Sequence, residues 1–334
     1  MSPPHAFFDL VKALSSLDVD KFHGFEIISA RYKILPVGVG GISTDVLIPK
    51  TRLKTRRLSK CPLMIRIHGG FLVTGSSRYA PWFSSWILDY AERSDAIIVS
   101  PNYRLLPEAT GDDILQDIND FWNWLHEGGL SECLKMAGYV DLTVELSQLL
   151  LLGESAGGYL AVQLALTYPT QVKAVIGAYP MLDLKSPFYT EAFSKPIVGM
   201  IIWALWQEER GLRCPQQQTP PGRLDLAFAI VQNGRFLQFC GIENPNLFPM
   251  DRVRIMCSSL LAQLPPMFIF HGEQDSAVPV EGSRKFIALV RDKVKDPKIY
   301  LHVQEGDHGF DVDATLDTPW LRDGLVMISK AWSG

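Results

Sequence analysis

The sequence contains few cysteines, and their positions exclude the common structural metal sites. The five cysteines of the 334-residue chain, at positions 61, 133, 214, 240 and 257, are odd in number and widely scattered. They show none of the paired spacings that a structural zinc site requires. We therefore expect reduced, mostly buried thiols, and we predict neither a bound metal nor a cofactor.

The chain also lacks a strong excess of either charge. Its 32 basic and 36 acidic residues give a formal net charge of −4, without the basic surface with which proteins bind nucleic acid or an anionic membrane. The one basic cluster, at residues 52–60, is typical of a solvated loop, with a binding patch as the less favoured alternative. The sequence therefore predicts no nucleic-acid partner.

A long apolar segment is missing as well. The longest apolar run, residues 197–206, is shorter than the roughly 20 residues that a membrane-spanning helix needs. Residues 1–22 have no basic stretch followed by an apolar one, which a secretory signal would show. From these absences we expect a soluble, cytoplasmic protein with no membrane span.

What is present indicates one large α/β domain. Hydrophobic residues make up 47% of the chain, which is enough for a substantial core. Short β-branched apolar segments alternate with helical patterns such as residues 113–127 and 155–168, and this alternation predicts a mostly parallel sheet with helices on both faces. The predicted strands are residues 26–34, 44–48, 62–67, 96–100, 149–152, 173–179, 267–271 and 298–303.

The alternation is interrupted once. About 85 residues separate the strand at 173–179 from the strand at 267–271, far more than an ordinary crossover connection uses. We predict a helical cap inserted at about residues 183–250 and completed by the N-terminal segment, about residues 1–25, on a single domain of residues 1–334. Such a cap would be an extra helical layer with its own small core, a lid over an apolar acyl pocket, or both.

The most specific local pattern is Gly153-Glu154-Ser155-Ala156-Gly157, which stands between an apolar strand and an apolar helix. In that context G-x-S-x-G describes a tight turn whose flanking glycines let the helix pack close to the strand while the serine hydroxyl projects into the open. The serine also stands at the helix N-terminus, where backbone N–H groups favour developing negative charge. The motif predicts that Ser155 is the nucleophile of a serine hydrolase.

An acyl-transfer nucleophile needs backbone donors aimed at the oxygen of its tetrahedral intermediate. The segment His68-Gly69-Gly70-Phe71 directly follows the strand at 62–67, at the place where the loop after an early strand supplies such N–H groups. Its glycines allow the backbone to approach a substrate closely. We therefore predict that this loop contributes the oxyanion hole.

Together these motifs resemble the hormone-sensitive-lipase-like branch of the α/β-hydrolases, which includes bacterial and fungal esterases and plant carboxylesterases. The resemblance covers the chain from about residue 62 onward, and the segment NYRLLPE at 102–108 is similar to that branch's Y-R-L-x-P-E signature. It implies an α/β-hydrolase fold with oxyanion donors in the loop of Gly69, at Gly70 and Phe71, and at Ala156 after the serine. Phe71 departs from the third glycine that is usual there, so we expect a narrower acyl entrance.

In this fold the catalytic triad runs serine, acid, histidine along the chain, each after a strand. Of the seven histidines, only His308 follows the last strand within a loop, and the triplet H-G-F that it begins matches the family's pattern. Two acids, Glu273 and Asp275, follow the strand at 267–271. The family's G-x-x-D pattern selects Asp275 as the acid that orients His308, with Glu273 as the alternative.

The leading prediction is therefore a carboxylic ester hydrolase that acts on a small apolar ester through an acyl-enzyme intermediate. The alternatives are the same triad acting on a lactone, a thioester or an arylformamide, or in acyl transfer, and a non-catalytic ligand-binding receptor, which the presence of His308 disfavours. Trp82, Phe83 and Trp86 after the oxyanion loop would suit either the pocket wall or the core. Whether the chain forms a homodimer is left open.

Overall fold

An eight-stranded sheet forms the centre of the molecule. A computed structural model describes residues 20–36, 40–55, 60–192 and 223–332. Its strands, in chain order, are β1 (Phe25–Ile34), β2 (Gly41–Pro49), β3 (Cys61–Ile67), β4 (Ile97–Pro101), β5 (Val144–Glu154), β6 (Ala174–Ala178), β7 (Met267–Gly272) and β8 (Ile299–Gln304). They lie side by side in the order β1-β2-β4-β3-β5-β6-β7-β8.

The direction of the strands brings the predicted functional loops together. β1 pairs antiparallel with β2, and β2 antiparallel with β4, whereas β3 to β8 all run parallel. The carboxyl ends of parallel strands meet at one edge of a sheet, and ligands bind in the crevice outside that edge. The loops after β3, β5, β6, β7 and β8 therefore converge there.

Helices connect the strands. Within the described ranges they are α1 (Lys50–Thr55), α2 (Ser85–Arg93), α3 (Gly111–His126), α4 (Gly129–Met136), α5 (Ala156–Thr167), α6 (Pro187–Thr190), α7 (Leu224–Gln232), α8 (Phe236–Cys240), α9 (Pro249–Ile255), α10 (Ser258–Leu261), α11 (Val280–Lys293) and α12 (Pro319–Trp332). α3 begins at a capping box, in which the Thr110 hydroxyl accepts from the Asp113 N–H and the Asp113 carboxylate accepts from the Thr110 N–H, an arrangement worth about 1 kcal/mol. Among these described helices, none is both long and apolar enough to cross a bilayer.

The core has two layers, one on each face of the sheet. Alternate residues of β5 show this division, because Leu149 and Leu151 pack in the same apolar cluster as α3, α5 and α11, whereas Leu150 and Leu152 pack with α2 and α12. Side chains alternate between the two faces of a strand, and each fully buried leucine contributes about 1.5–3 kcal/mol. The predicted mostly parallel sheet with helices on both faces is confirmed.

The described part of the predicted cap packs onto the main body. Leu226 and Phe236, from α7 and α8, are buried in the same apolar cluster as α5, so this part shares the core of the sheet. At the N-terminal side, the Lys21 ammonium donates to the carbonyl oxygen of Phe83 at 3.1 Å, and the ring of Phe22 meets the ring of Phe83 edge-on at 5.3 Å. Residues 1–19 and 193–222 of the predicted cap lie outside the described residues.

Candidate active site

Ser155 occupies a strained turn between β5 and α5. Its φ is 55° and its ψ is −117°, a left-handed region that costs a non-glycine residue roughly 1–3 kcal/mol. The turn is held by the Ser155 N–H, which donates to the carbonyl oxygen of Ala178 at 2.8 Å. The serine is therefore fixed at the carboxyl edge of the sheet, directly beside the loop after β6.

The glycines on either side of Ser155 are required by close packing. A Cβ atom added at Gly153 would overlap the carbonyl oxygen of Gly157, and one added at Gly157 would overlap the carbonyl oxygen of Ile67. The first contact lies within the turn, and the second joins the start of α5 to the end of β3. The motif spacing thus reflects a helix that begins against two strands at once.

The loops after β7 and β8 bring Asp275 and His308 together. The His308 Nδ1 atom lies 2.8 Å from the Asp275 Oδ2 atom, and both side chains are buried. Asp275 Oδ1 accepts from the backbone N–H groups of Ala277 at 2.9 Å and Val278 at 2.7 Å. The rival acid, Glu273, is instead exposed and paired with Arg284 at 2.5 Å, so the structure brings Asp275 to His308 and leaves Glu273 outside the site.

The environment of Asp275 keeps its carboxyl group ionised. Burial by itself raises the pKa of this group, but the charge of His308, a hydrogen bond from His271 and one from His308 outweigh burial and lower the pKa to about 2. An ionised acid against the Nδ1 atom of an imidazole holds the proton on Nδ1 and leaves Nε2 as the base. The pair has the electrostatic character that a serine hydrolase needs.

The loop after β3 presents its backbone to Ser155. A Cβ atom added at Gly69 would lie 3.1 Å from the Ser155 Cβ atom, so this loop passes directly beside the serine. Gly70 and Phe71 both have positive φ, 112° and 56°, and the Gly70 carbonyl oxygen accepts from the N–H groups of Val73 and Thr74. Among the described residues, neither the Gly70 N–H nor the Phe71 N–H is paired with an acceptor.

Ala156 completes this set of amides. It is the first residue of α5, and the first N–H groups of a helix have no acceptor within that helix. Ala156 follows Ser155 directly in the chain, so its N–H group is a further candidate donor next to the serine. Of the four residues predicted for the oxyanion hole, Gly69, Gly70 and Phe71 line the same cavity as Ser155, and Ala156 follows Ser155 in the chain.

His68 supports the loop from behind. Its ring stacks on the ring of Tyr103 at 4.3 Å, and its Nδ1 atom lies 2.8 Å from the Gly69 carbonyl oxygen. Burial lowers the pKa of His68 to about 3, so the ring is neutral and its Nδ1–H donates to that carbonyl. This contact fixes the orientation of the peptide between Gly69 and Gly70.

Ser155 and His308 line one cleft, whose empty space is about 620 Å³ when the part open to solvent is included. Its walls come from the oxyanion loop, the loop after β8 and the described end of the predicted cap. Apolar surface predominates, and the lining residues are Gly69, Gly70, Phe71, Pro81, Trp82, Ser84, Glu154, Ser155, Tyr179, Leu224, His308, Gly309, Asp311 and Val312. Trp82 therefore lines the cavity, whereas Phe83 and Trp86 are buried in the core.

Phe71 connects the oxyanion loop to the predicted cap. Its ring meets the ring of Phe228 in α7 edge-on, with centroids 5.9 Å apart. Leu224, at the start of the same helix, lines the cavity. The side chain that departs from the family's glycine thus lies between the cavity and α7, where it occupies space that a glycine would leave open.

A buried carboxylate beside the cavity had no signal in the sequence. Asp311 is fully buried, and it accepts hydrogen bonds from Ser84 Oγ at 2.9 Å, Trp86 Nε1 at 2.8 Å and Tyr179 Oη at 3.0 Å. The Tyr179 ring also packs against the His308 imidazole, with centroids 4.4 Å apart. These donors come from parts of the chain more than 130 residues away from Asp311, a separation that local patterns do not report.

The second unpredicted group is a buried ion pair next to Ser155. The Arg66 guanidinium binds both oxygens of Glu154, with Nε to Oε2 at 3.0 Å and Nη2 to Oε1 at 2.8 Å. The same guanidinium lies over the ring of Phe83, 4.2 Å from its centroid. Because Glu154 directly precedes Ser155, this pair joins the turn at Ser155 to β3.

Known proteins resemble this chain over most of its length. A family model described as the alpha/beta hydrolase fold matches residues 64–216. A probable carboxylesterase, M8, from Phoma sp. is 32% identical over 284 residues, which cover 81% of this chain and 86% of that protein. A probable carboxylesterase, clz11, from Cochliobolus lunatus is 33% identical over 212 residues, which cover 59% of this chain and 92% of the relative.

Among solved structures, a bacterial heroin esterase aligns over 98% of this chain and 90% of its own, with a TM-score of 0.61 at 18% identity. At that identity the likeness concerns the fold. The sequence identity to the Phoma relative, together with the matching family model, shows that the chain belongs to the α/β-hydrolase family. Within that family it belongs to the hormone-sensitive-lipase-like branch of esterases, so the predicted fold class, branch and enzyme class, carboxylic ester hydrolase, are confirmed.

Proposed function

We propose that this chain hydrolyses carboxylic esters of small apolar acids through an acyl-enzyme intermediate on Ser155. The observation that carries the proposal is the contact of 2.8 Å between His308 Nδ1 and Asp275 Oδ2, in a cavity that Ser155 and His308 both line. A nucleophile, a base and an orienting acid in that arrangement are the parts that acyl transfer requires.

The reaction follows from these positions. Ser155 Oγ attacks the ester carbonyl carbon while His308 Nε2 takes its proton, and ionised Asp275 stabilises the resulting imidazolium. The carbonyl oxygen becomes an oxyanion that the N–H groups of Gly70, Phe71 and Ala156 bind, and each such donor is worth about 10²–10³ in rate. His308 then returns the proton to the leaving alcohol, and the acyl group remains on Ser155.

The second half-reaction uses the same groups in the reverse direction. His308 takes a proton from water as the water oxygen attacks the acyl carbon, the oxyanion forms again, and the acid leaves as Ser155 regains its proton. The acyl group is small and apolar because the cavity walls are mostly apolar and Phe71, packed against Phe228, occupies space beside the nucleophile.

The proposal is tested with p-nitrophenyl esters of increasing acyl length and with a fluorophosphonate probe. We expect the highest kcat/KM for short acyl chains and labelling of Ser155 by the probe. Ser155→Ala should abolish both turnover and labelling, whereas Ser259→Ala, which changes an exposed serine of α10, should preserve them. Turnover that survives in Ser155→Ala would refute the mechanism, and a preference for lactones, thioesters or arylformamides over esters would refute the substrate class.

A further inference from the structure

A second histidine contacts the proposed catalytic acid. His271, in β7, is fully buried, and its Nε2 atom lies 3.2 Å from Asp275 Oδ2. The same Nε2 atom is 2.8 Å from the Val278 carbonyl oxygen, and the Nδ1 atom is 2.9 Å from the Ser283 hydroxyl in α11. Both ring nitrogens are therefore held by partners from different elements.

These partners determine where the proton of His271 lies. A carbonyl oxygen only accepts, so the Nε2 atom opposite Val278 carries the hydrogen. The Ser283 hydroxyl can then donate to Nδ1 of the neutral ring. With its hydrogen on Nε2, His271 directs a donor at the carbonyl oxygen of Val278 and, at the longer distance, at Asp275 Oδ2.

We propose that His271 is a positioning residue, which holds Asp275 in the orientation that His308 requires. Asp275 Oδ1 is fixed by two backbone N–H groups, from Ala277 and Val278. Without His271, among the described residues only His308 would donate to Oδ2. With His271 present, the orientation of Asp275 does not depend on its contact with His308, the residue that Asp275 itself orients.

The arrangement also joins three elements behind the base. His271 belongs to β7, Ser283 to α11, and Val278 to the loop between them, which also carries Asp275. The ring therefore joins the far end of this loop, at Val278, and the following helix, at Ser283, to the sheet. A loop fixed in this way keeps Asp275 in place while His308 changes its charge during the reaction. The inference rests on the proposed function of Asp275 and His308.

The experiment compares two substitutions that divide the functions of the ring. In His271→Gln the side-chain amide can present an N–H group near the position of Nε2, whereas the shorter amide in His271→Asn can meet Ser283 only. We expect His271→Asn to lower kcat per active site on the order of 10-fold with KM unchanged. A 10-fold loss corresponds to about 1.4 kcal/mol, near the lower end of what one hydrogen bond to a charged group contributes. His271→Gln should recover most of that loss.

Active sites are counted by end-point labelling with the fluorophosphonate, so that unfolded protein does not enter the kcat. The matched control is His302→Asn, which makes the same change at a partly buried histidine of β8 that stacks on Trp320. A merely structural role for His271 would lower the labelled fraction and the Tm but would leave kcat per labelled site unchanged. Unchanged kcat in His271→Asn would therefore overturn the inference.

A double-mutant cycle identifies the group on which His271 acts. If it acts through Asp275, His271→Asn should cost little further rate in the Asp275→Asn background, measured by single-turnover release of p-nitrophenol. A full 10-fold loss in that background would mean that another group is affected and would contradict the inference. Failure of the proposed function is distinguishable, because it would appear as turnover in Ser155→Ala.

Discussion

Replacing Asp275 with asparagine should disable the base without removing it. Asp275 Oδ1 accepts from two backbone N–H groups, at 2.9 and 2.7 Å. The asparagine must keep its carbonyl oxygen at that position, because an NH₂ group there would face two donors. Its NH₂ group then takes the place of Oδ2, opposite His308 Nδ1, and donates to that atom.

The consequence is the wrong tautomer of His308. With Nδ1 accepting, the proton of the neutral ring moves to Nε2, which then cannot take a proton from Ser155. The loss expected for such a change is about 10⁴-fold in kcat, or about 5.5 kcal/mol of transition-state stabilisation. KM should change little, because neither oxygen of Asp275 contacts the cavity: the acid does not belong to its lining.

The assay is the hydrolysis of a short p-nitrophenyl ester, followed by the absorbance of the released p-nitrophenolate, with Glu273→Gln as the matched control. Glu273 lies two residues away, and its carboxylate is exposed and paired with Arg284, so an exchange of carboxylate for amide there should change kcat less than about twofold. A loss below 10-fold in Asp275→Asn, or an equal loss in the two variants, would refute the assignment of the acid.

Three further predictions follow from the same contacts. Phe71→Gly should raise kcat/KM for octanoyl relative to acetyl esters on the order of 10-fold, because it removes a ring beside the nucleophile; an unchanged ratio would contradict this. Tyr179→Phe should lower the free energy of unfolding, measured by urea titration, by about 1–3 kcal/mol, since Asp311 loses a buried donor. Tyr90→Phe should lower it less, because the Tyr90 hydroxyl bonds to a neutral serine. Because folding lowers the pKa of Asp275 from 3.8 to about 2, the stability it contributes, about 2 kcal/mol, is present above pH 4 and lost as the pH falls through 2. The stability difference between wild type and Asp275→Asn should shrink accordingly between pH 5 and pH 2.

The strands could be predicted where apolar residues mark them on both faces. The prediction for β3, residues 62–67, differs from the observed strand by one residue, and that for β7, residues 267–271, also by one. β5 begins at Val144, five residues before the predicted start at 149. The prediction missed residues 144–148 because they mix apolar and polar side chains and are not fully buried, and of them only Val144 and Glu145 pair with β3. Backbone pairing at the amino-terminal ends of β3 and β5 thus extends β5 without leaving an apolar pattern.

In the candidate site, too, local sequence patterns predict some residues and miss others. Ser155, Asp275 and His308 could be predicted as candidates because each stands in a short motif at the end of a strand, and the fold brings such ends to one edge. The contacts that support them were not found. His271 meets Asp275 across a turn, and Asp311 meets Tyr179 across 132 residues of sequence. A lone buried histidine or aspartate has the same local pattern whether it supports the site or only the core.

Several residues of the site have backbone conformations that their residue types disfavour, so conformational propensities do not predict them. Six non-glycine residues of the described chain have positive φ, and three of them, Phe71, Ser155 and Tyr179, line the cavity. Each costs roughly 1–3 kcal/mol, a large share of the 5–15 kcal/mol that typically stabilises a domain. The sheet imposes two of these conformations, since the Ser155 N–H binds the Ala178 carbonyl and the Tyr179 N–H binds the Phe270 carbonyl, both at 2.8 Å. The pairing with β6 and β7 therefore holds the Ser155 hydroxyl at the cavity and the Tyr179 ring against His308, in backbone conformations that neither residue prefers.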